Sequence, residues 1–200
     1  MNYPVSFTDL DIQLIVNGKK NQFRIINPDR LREGFQSTQG MSKGEFRILP
    51  DSLPTGSSGK NCIVRCSRRG TYRYLGSSTY MKEFGVYKVG QLVPVKEYWA
   101  TVPAHLSEDG CPYFTYRATD FGWTSMVGWR WNAPSRMPAR AVRLHMRIVG
   151  AWLEKAGDAT LGDAQAEGFY GTDPLSQIRI LYGDEWTQVF QFSLENPGGT

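Results

Sequence analysis

The chain has 200 residues, 40% of them apolar and 13% aromatic, with a formal net charge of +4. That is long enough for one large domain with a real core, and three cysteines are odd in number and too few for a disulfide framework. No apolar run reaches the ~20 residues of a membrane span, and MNYPVSFTDLDIQ lacks the basic start and apolar stretch of a secretory leader, so a cytoplasmic protein with no membrane partner is expected.

Taken in order, SFTDLDIQLIVNG predicts a short helix capped by Ser6, with Phe7, Leu10, Leu14 and Ile15 on its packed face and Asn17-Gly18 as its stop. NQFRIIN predicts a strand with Phe23 and Ile25 on one face and Arg24 on the other. Lys19 and Lys20 then sit in the turn between them. Together with Arg24 they are either a solvated turn or one wall of a site for something negative. Residues 27–60 carry little pattern, and DSLPTGSSGK is a loop by composition. NCIVRC-SRRG-TYRYL predicts a hairpin. VYKVGQLVPVKEYWA predicts two strands broken at Gly90, with Pro94 at an edge or bulge. PYFTYRATD predicts a further strand, and GWTSMVGWRWNAPSRMP a loop. In ARAVRLHMRIVG, Val142, Leu144, Met146 and Ile148 alternate inward, with Arg143, His145 and Arg147 outward. DATLGDAQAEGF and DPLSQIRILYG predict short helices ending at Gly168 and Gly183, and WTQVFQFSL a closing strand. There is no βαβ rhythm. The expected class is α+β: a curled, mainly antiparallel barrel-like sheet holding residues 22–26, 91–97, 141–149 and 187–193, flanked by short helices.

Charge is uneven. Residues 151–200 hold two bases and eight acids, and residues 1–150 hold 21 bases and 11 acids. Such asymmetry is either a basic face for a polyanion with an acidic face elsewhere, or a dipole that folding mixes away. Between Phe121 and Leu153 no acid occurs, while Arg130, Arg136, Arg140, Arg143 and Arg147 lie near Trp123, Trp129 and Trp131. Arginine forks bind phosphate and flat aromatics stack on unpaired bases; the competing reading is a tryptophan core under a solvated arginine face. The two histidines, His105 and His145, have no neighbouring ligands in sequence, so no metal and no cofactor are expected.

NGKKNQFRIINP, YKVGQLVPVKEYWA, YRATD, WRWNAPSRMPARAVRLHMRIVGAWLEK, GDAQAEGF and WTQVFQFSL, in that order, resemble the ASCH domain family. That family is similar to PUA domains, and the likeness is to the longer form often encoded by bacteriophages and prophages. It covers residues 7–28 and 86–194, so a single domain over 1–200 is expected, with a poorly matched insertion at about 29–85. The resemblance implies a PUA-like barrel with a cleft and an RNA-binding or other nucleic-acid-binding role in a host cytoplasm. Lys19, Lys20, Arg24, Arg130, Trp131, Arg136, Arg140 and Arg143 are the candidate contacts. It also implies one alternative, a hydrolase, either an acylcytidine amidohydrolase or a ribonuclease, using Lys20 and Glu167. A third reading, apart from what the family implies, is a phage accessory protein that binds a host protein through residues 29–85. In the amidohydrolase motif Gly-x-Lys-x-x-Thr-x-Arg, Gly18 and Lys20 match. The threonine position is Phe23 by direct count, or Gln22 with one residue deleted, and only the deletion brings Arg24 into register.

Overall fold

The structure, a computed structural model, describes residues 4–28, 31–32, 39–49, 62–124 and 130–195. The predicted loop at 51–60 and Trp129 lie outside these residues. In chain order the elements are β1 (Val5–Ser6), α1 (Asp9–Val16), β2 (Gln22–Ile26), β3 (Leu31–Arg32), β4 (Phe46–Leu49), β5 (Cys62–Cys66), β6 (Tyr72–Leu75), α2 (Ser77–Phe84), β7 (Leu92–Lys96), β8 (Trp99–Val102), β9 (Tyr113–Tyr116), α3 (Arg117–Thr124), β10 (His145–Lys155), α4 (Leu161–Ala166), α5 (Pro174–Tyr182) and β11 (Trp186–Glu195).

The chain is α+β, with a strongly curled mixed half-barrel sheet and short helices. Five strands form the order β1-β7-β10-β11-β2, four form β3-β4-β5-β6, and β8 pairs with β9. Three of the four expected strands are β2, β7 and β11; the fourth, expected over 141–149, is β10, which starts only at His145 because Ala139–Ala141 form a 3-10 turn, and which runs on to Lys155. Parallel pairing is confined to β1 with β7 and β3 with β4 among the registered pairs. Pro94 lies inside β7, opposite His145. The two residues of β1 pair only with Val95 and Lys96, so the missing N–H of Pro94 breaks no bond to β1.

Contacts divide the chain into two compact units. The first is Met1–Asn21 with Gly90–Ile148 and Phe192–Thr200. Its core takes Ile12 and Ile15 of α1, Val93 and Val95 of β7, and Met146 and Ile148 of β10. The second is Gln22–Val89 with Val149–Gln191. There Phe23, Tyr87 and Phe190 pack ring on ring at 5.3–5.9 Å, and Phe46, Tyr80 and Phe84 form a second aromatic cluster. Ala156, Ala164 and Ile178 join α4 to α5.

Three expectations are corrected. The cap of α1 is Thr8, not Ser6. The Thr8 hydroxyl accepts from the Asp11 amide, and the Asp11 carboxylate accepts from the Thr8 amide, a box that satisfies both orphan donors. The packed face is also shifted: Ile15 is buried as expected, but Leu10 is 64% exposed and Ile12 is buried instead. DLDIQLIV carries apolar residues around its whole circumference, so spacing alone does not choose a face. Finally, residues 86–90 form no strand. Val86 donates its amide to the Gln188 side chain, and Gly90 turns with φ of 86°. Two helices beyond the three expected, α2 and α3, are present. The first buries Tyr80 and Met81, and the second directly follows β9 where a longer strand was expected.

The stops were legible. Gly18, Gly168 and Gly183 all follow helices with positive φ, the conformation that glycine adopts without a Cβ penalty. Cys66 is buried, as the burial tendency of free thiols suggests, and Cys111 is exposed.

Candidate functional site

In the second unit, the alternation of β2 sends Gln22 and Arg24 to one face and Phe23 to the other, into its aromatic cluster. Arg24 has no exposed side-chain surface. Its Nε donates to Glu167 Oε1 at 2.8 Å, and its Nη1 donates to Glu154 Oε2 at 2.8 Å and to Thr187 Oγ1 at 3.1 Å. Gln22 Nε2 donates to Glu167 Oε1 at 3.3 Å and to Asp163 Oδ1 at 3.5 Å. Thr187 closes the group by donating to the Glu154 carbonyl. Among the described residues, Arg24 Nη2 has no hydrogen-bond partner.

A local reason places each member. Glu167 is the C-cap of α4, held by the stop at Gly168. The opposite end of α4 starts on a second Thr-x-x-Asp box, Thr160 with Asp163. Burial would depress the charge on Arg24, but Glu167 and Glu154 outweigh it and raise its pKa. Burial would raise the Asp163 carboxyl, yet Thr160, Gln22 and Arg24 hold it below the usual carboxylate range. Glu154 goes the other way. Burial pushes it above the ordinary value, Arg24 offsets this only in part, and Asp163 and Asp158 add to it.

Glu154 also opens onto a cleft of about 680 Å³, within the range of small-molecule sites. Trp152, Trp186, Lys155, Asp158, Thr160 and Ser77 are among its walls. One Glu154 oxygen is tied to Arg24. The other makes no hydrogen bond among the described residues, and the side chain is 20% exposed. The cleft therefore offers two indole rings, hydroxyls and an oriented acceptor oxygen. This suits a flat heterocycle with N–H donors better than a phosphate.

The remaining predicted residues belong to the first unit. Lys20 is buried, 3.0 Å from Asp11 Oδ1 and 5.7 Å from the Phe7 ring centroid. Burial acts to raise Asp11, and Lys20 with Thr8 more than reverses it. Lys19 is exposed, as are Arg130, Arg136 and Arg140, and Trp131 is half-buried. Arg136 and Arg140 sit on the consecutive 3-10 turns Pro134–Arg136 and Ala139–Ala141. Arg143 forks Glu97 and lies 4.1 Å from the Tyr116 ring centroid. The structure thus joins Arg24 to Glu167, and it places Lys20 and Glu167 in different units, each in its own ion pair.

Trp152, Glu154 and Trp186 were not singled out from the sequence. The one signal was a glutamate inside an apolar strand, AWLEK, where strict alternation lapses. Among the described residues, no group of three His, Cys, Asp or Glu could hold a metal ion, and no helix is long and apolar enough to cross a membrane. Comparison with protein families, with characterised proteins and with solved structures finds no match.

Proposed function

We propose that the chain is an ASCH-like, PUA-like nucleic-acid-binding module of phage or prophage type that takes an unpaired RNA base into the cleft of the second unit. One observation carries this: Trp152, Trp186 and the Arg24-anchored carboxylate of Glu154 share one cleft. Unpaired bases are bound by stacking on aromatic rings and by hydrogen bonds to their edges. A carboxylate repels phosphate and accepts from base N–H groups. Separately, the exposed Arg130, Arg136 and Arg140 of the first unit are expected to meet phosphate whatever the sequence.

The placement of Gln22 also favours binding over hydrolysis. Gln22 and Arg24 meet Glu167 together while Phe23 points away, which supports aligning the amidohydrolase motif with one residue deleted. The hydroxyl position of that motif is then Gln22, an amide without nucleophilic character.

The test is a titration of the whole chain with single-stranded RNA oligonucleotides, read by tryptophan fluorescence at several salt concentrations. Saturable quenching that weakens with salt, and that Trp152→Ala reduces at least tenfold in affinity, is expected. No salt-sensitive binding at low ionic strength would overturn the reading and make a protein partner the leading idea.

A further inference from the structure

We infer that the cleft of the second unit is selective for guanine, with the unengaged oxygen side of Glu154 accepting the two adjacent N–H donors of the guanine Watson–Crick edge. This rests on the base-binding reading above and adds to it which base is taken.

The geometry of one carboxylate carries the inference. Arg24 Nη1 occupies one lone pair of Glu154 Oε2, and Arg24 is itself fixed by Glu167 and Thr187. The Glu154 carboxylate therefore cannot turn freely, and Glu154 lines the cleft with 20% of its side chain exposed. An ionised carboxylate only accepts hydrogen bonds. Among the four bases at neutral pH, guanine alone sets two donors side by side, N1–H and the N2 amine. Adenine and cytosine place a ring-nitrogen lone pair beside their amine. Uracil flanks its single N–H with two carbonyls. Each of those three brings an acceptor against the carboxylate, a repulsive contact in a partly desolvated site. The indoles of Trp152 and Trp186 stack on any base, so they supply affinity without choice. Discrimination then falls to Glu154.

The same guanine edge occurs in a single strand and in a free nucleotide. Lys155 and Asp158 on the cleft wall offset each other toward a phosphate, so the experiment separates the two sources.

The experiment uses the full chain and tryptophan fluorescence. The probes are guanosine, adenosine, cytidine and uridine, then guanosine triphosphate, and then a single-stranded uridine-rich RNA carrying one guanine. Two analogues, inosine and 1-methylguanosine, remove the N2 amine and the N1–H in turn without changing the protein. Guanosine is expected to bind about tenfold or more tighter than the other nucleosides, the scale of one good two-point contact. Each analogue should lose most of that margin. In Glu154→Gln the amide oxygen stays with Arg24 and the NH₂ faces the cleft, so the preference should move away from guanosine while the melting temperature stays near that of the parent.

Tighter binding of the RNA than of the triphosphate supports the strand as source. The reverse order keeps guanine selectivity and assigns it to a free nucleotide. Equal affinity for all four nucleosides, or full guanosine affinity retained by inosine and 1-methylguanosine, overturns the selectivity and leaves base binding standing. No quenching by any probe overturns both.

Discussion

Both oxygens of Glu97, a carboxylate with no exposed surface, are forked by the guanidinium of Arg143 at 2.9 and 3.0 Å. Arg143 comes from the arginine-rich stretch expected to meet phosphate. Its planar fork serves a buried carboxylate instead, and its flat face covers Tyr116. Removing it leaves a buried charge without a partner.

Arg143→Ala should therefore destabilise the fold by about 3 kcal/mol or more, the usual result of breaking one side of a buried pair. Denaturant titration reads this directly. Pairing the change with Glu97→Gln should recover part of the loss. An Arg143→Ala chain as stable as the parent would contradict the assignment.

Arg136 and Arg140 should behave differently, because both are exposed. Changing both to Ala should leave the melting temperature nearly unchanged. The slope of log affinity for single-stranded RNA against log salt should become shallower by about 0.7 for each phosphate that is no longer neutralised. An unchanged slope would remove them from the interface.

Glu154 sets a pH dependence with opposite signs for binding and stability. Its pKa lies above the ordinary 4.5, chiefly through burial. Base recognition needs the ionised form, so affinity should fall as pH drops through the raised value. Its contribution to stability is fully present below the ordinary value and is lost as pH rises through the raised one. Relative to Glu154→Gln, the parent should lose melting temperature with rising pH across this window. Asp11 and Asp163, held below 3.8, contribute in the opposite sense: their contribution is present above that value and lost as pH falls below it.

Gly85 closes α2 by donating its amide to Met81 O. A Cβ at this position would lie 2.4 Å from that carbonyl oxygen, a backbone atom that cannot swing away. Gly85→Ala should cost about 2 kcal/mol through forced backbone movement, measured by thermal melting against Gly76→Ala, where a Cβ meets nothing within 4 Å.

Acylated cytidine should not be turned over. Glu167 Oε1 accepts from Arg24 and Gln22, and no hydroxyl occupies the aligned motif position. A chromatographic assay that found product, abolished by Lys20→Ala, would restore the hydrolase reading.

The sequence announced elements whose signals are local. The strand β7 and the start of β10 follow two-residue alternation, and α4 and α5 are bounded by Thr or Asp caps and glycine stops. It did not announce β4, whose FRIL is too short to show a period. Nor did it announce α2, where Tyr80, Met81 and Phe84 hide among serines and charges. Within the candidate site, Arg24 and Glu167 were legible through a motif. Glu154 was not, because its role depends on a guanidinium 130 residues away in sequence.

Two aspartates do the same double duty. In Asp11 one oxygen accepts from Thr8 at the start of α1 and the other meets Lys20. In Asp163 one oxygen accepts from Thr160 at the start of α4 and the other meets Gln22. Each carboxylate joins a helix start to the segment that opens β2. Winding of the first turn and return of the distant strand thus share one side chain, so neither event is independent of the other. Substitutions at Thr8 and Lys20, or at Thr160 and Gln22, should combine non-additively, because each pair meets through one aspartate. For a drifting sequence, that makes each aspartate hard to replace: a serine there could still accept from the capping threonine's amide, but a two-oxygen group is needed to hold the second partner as well.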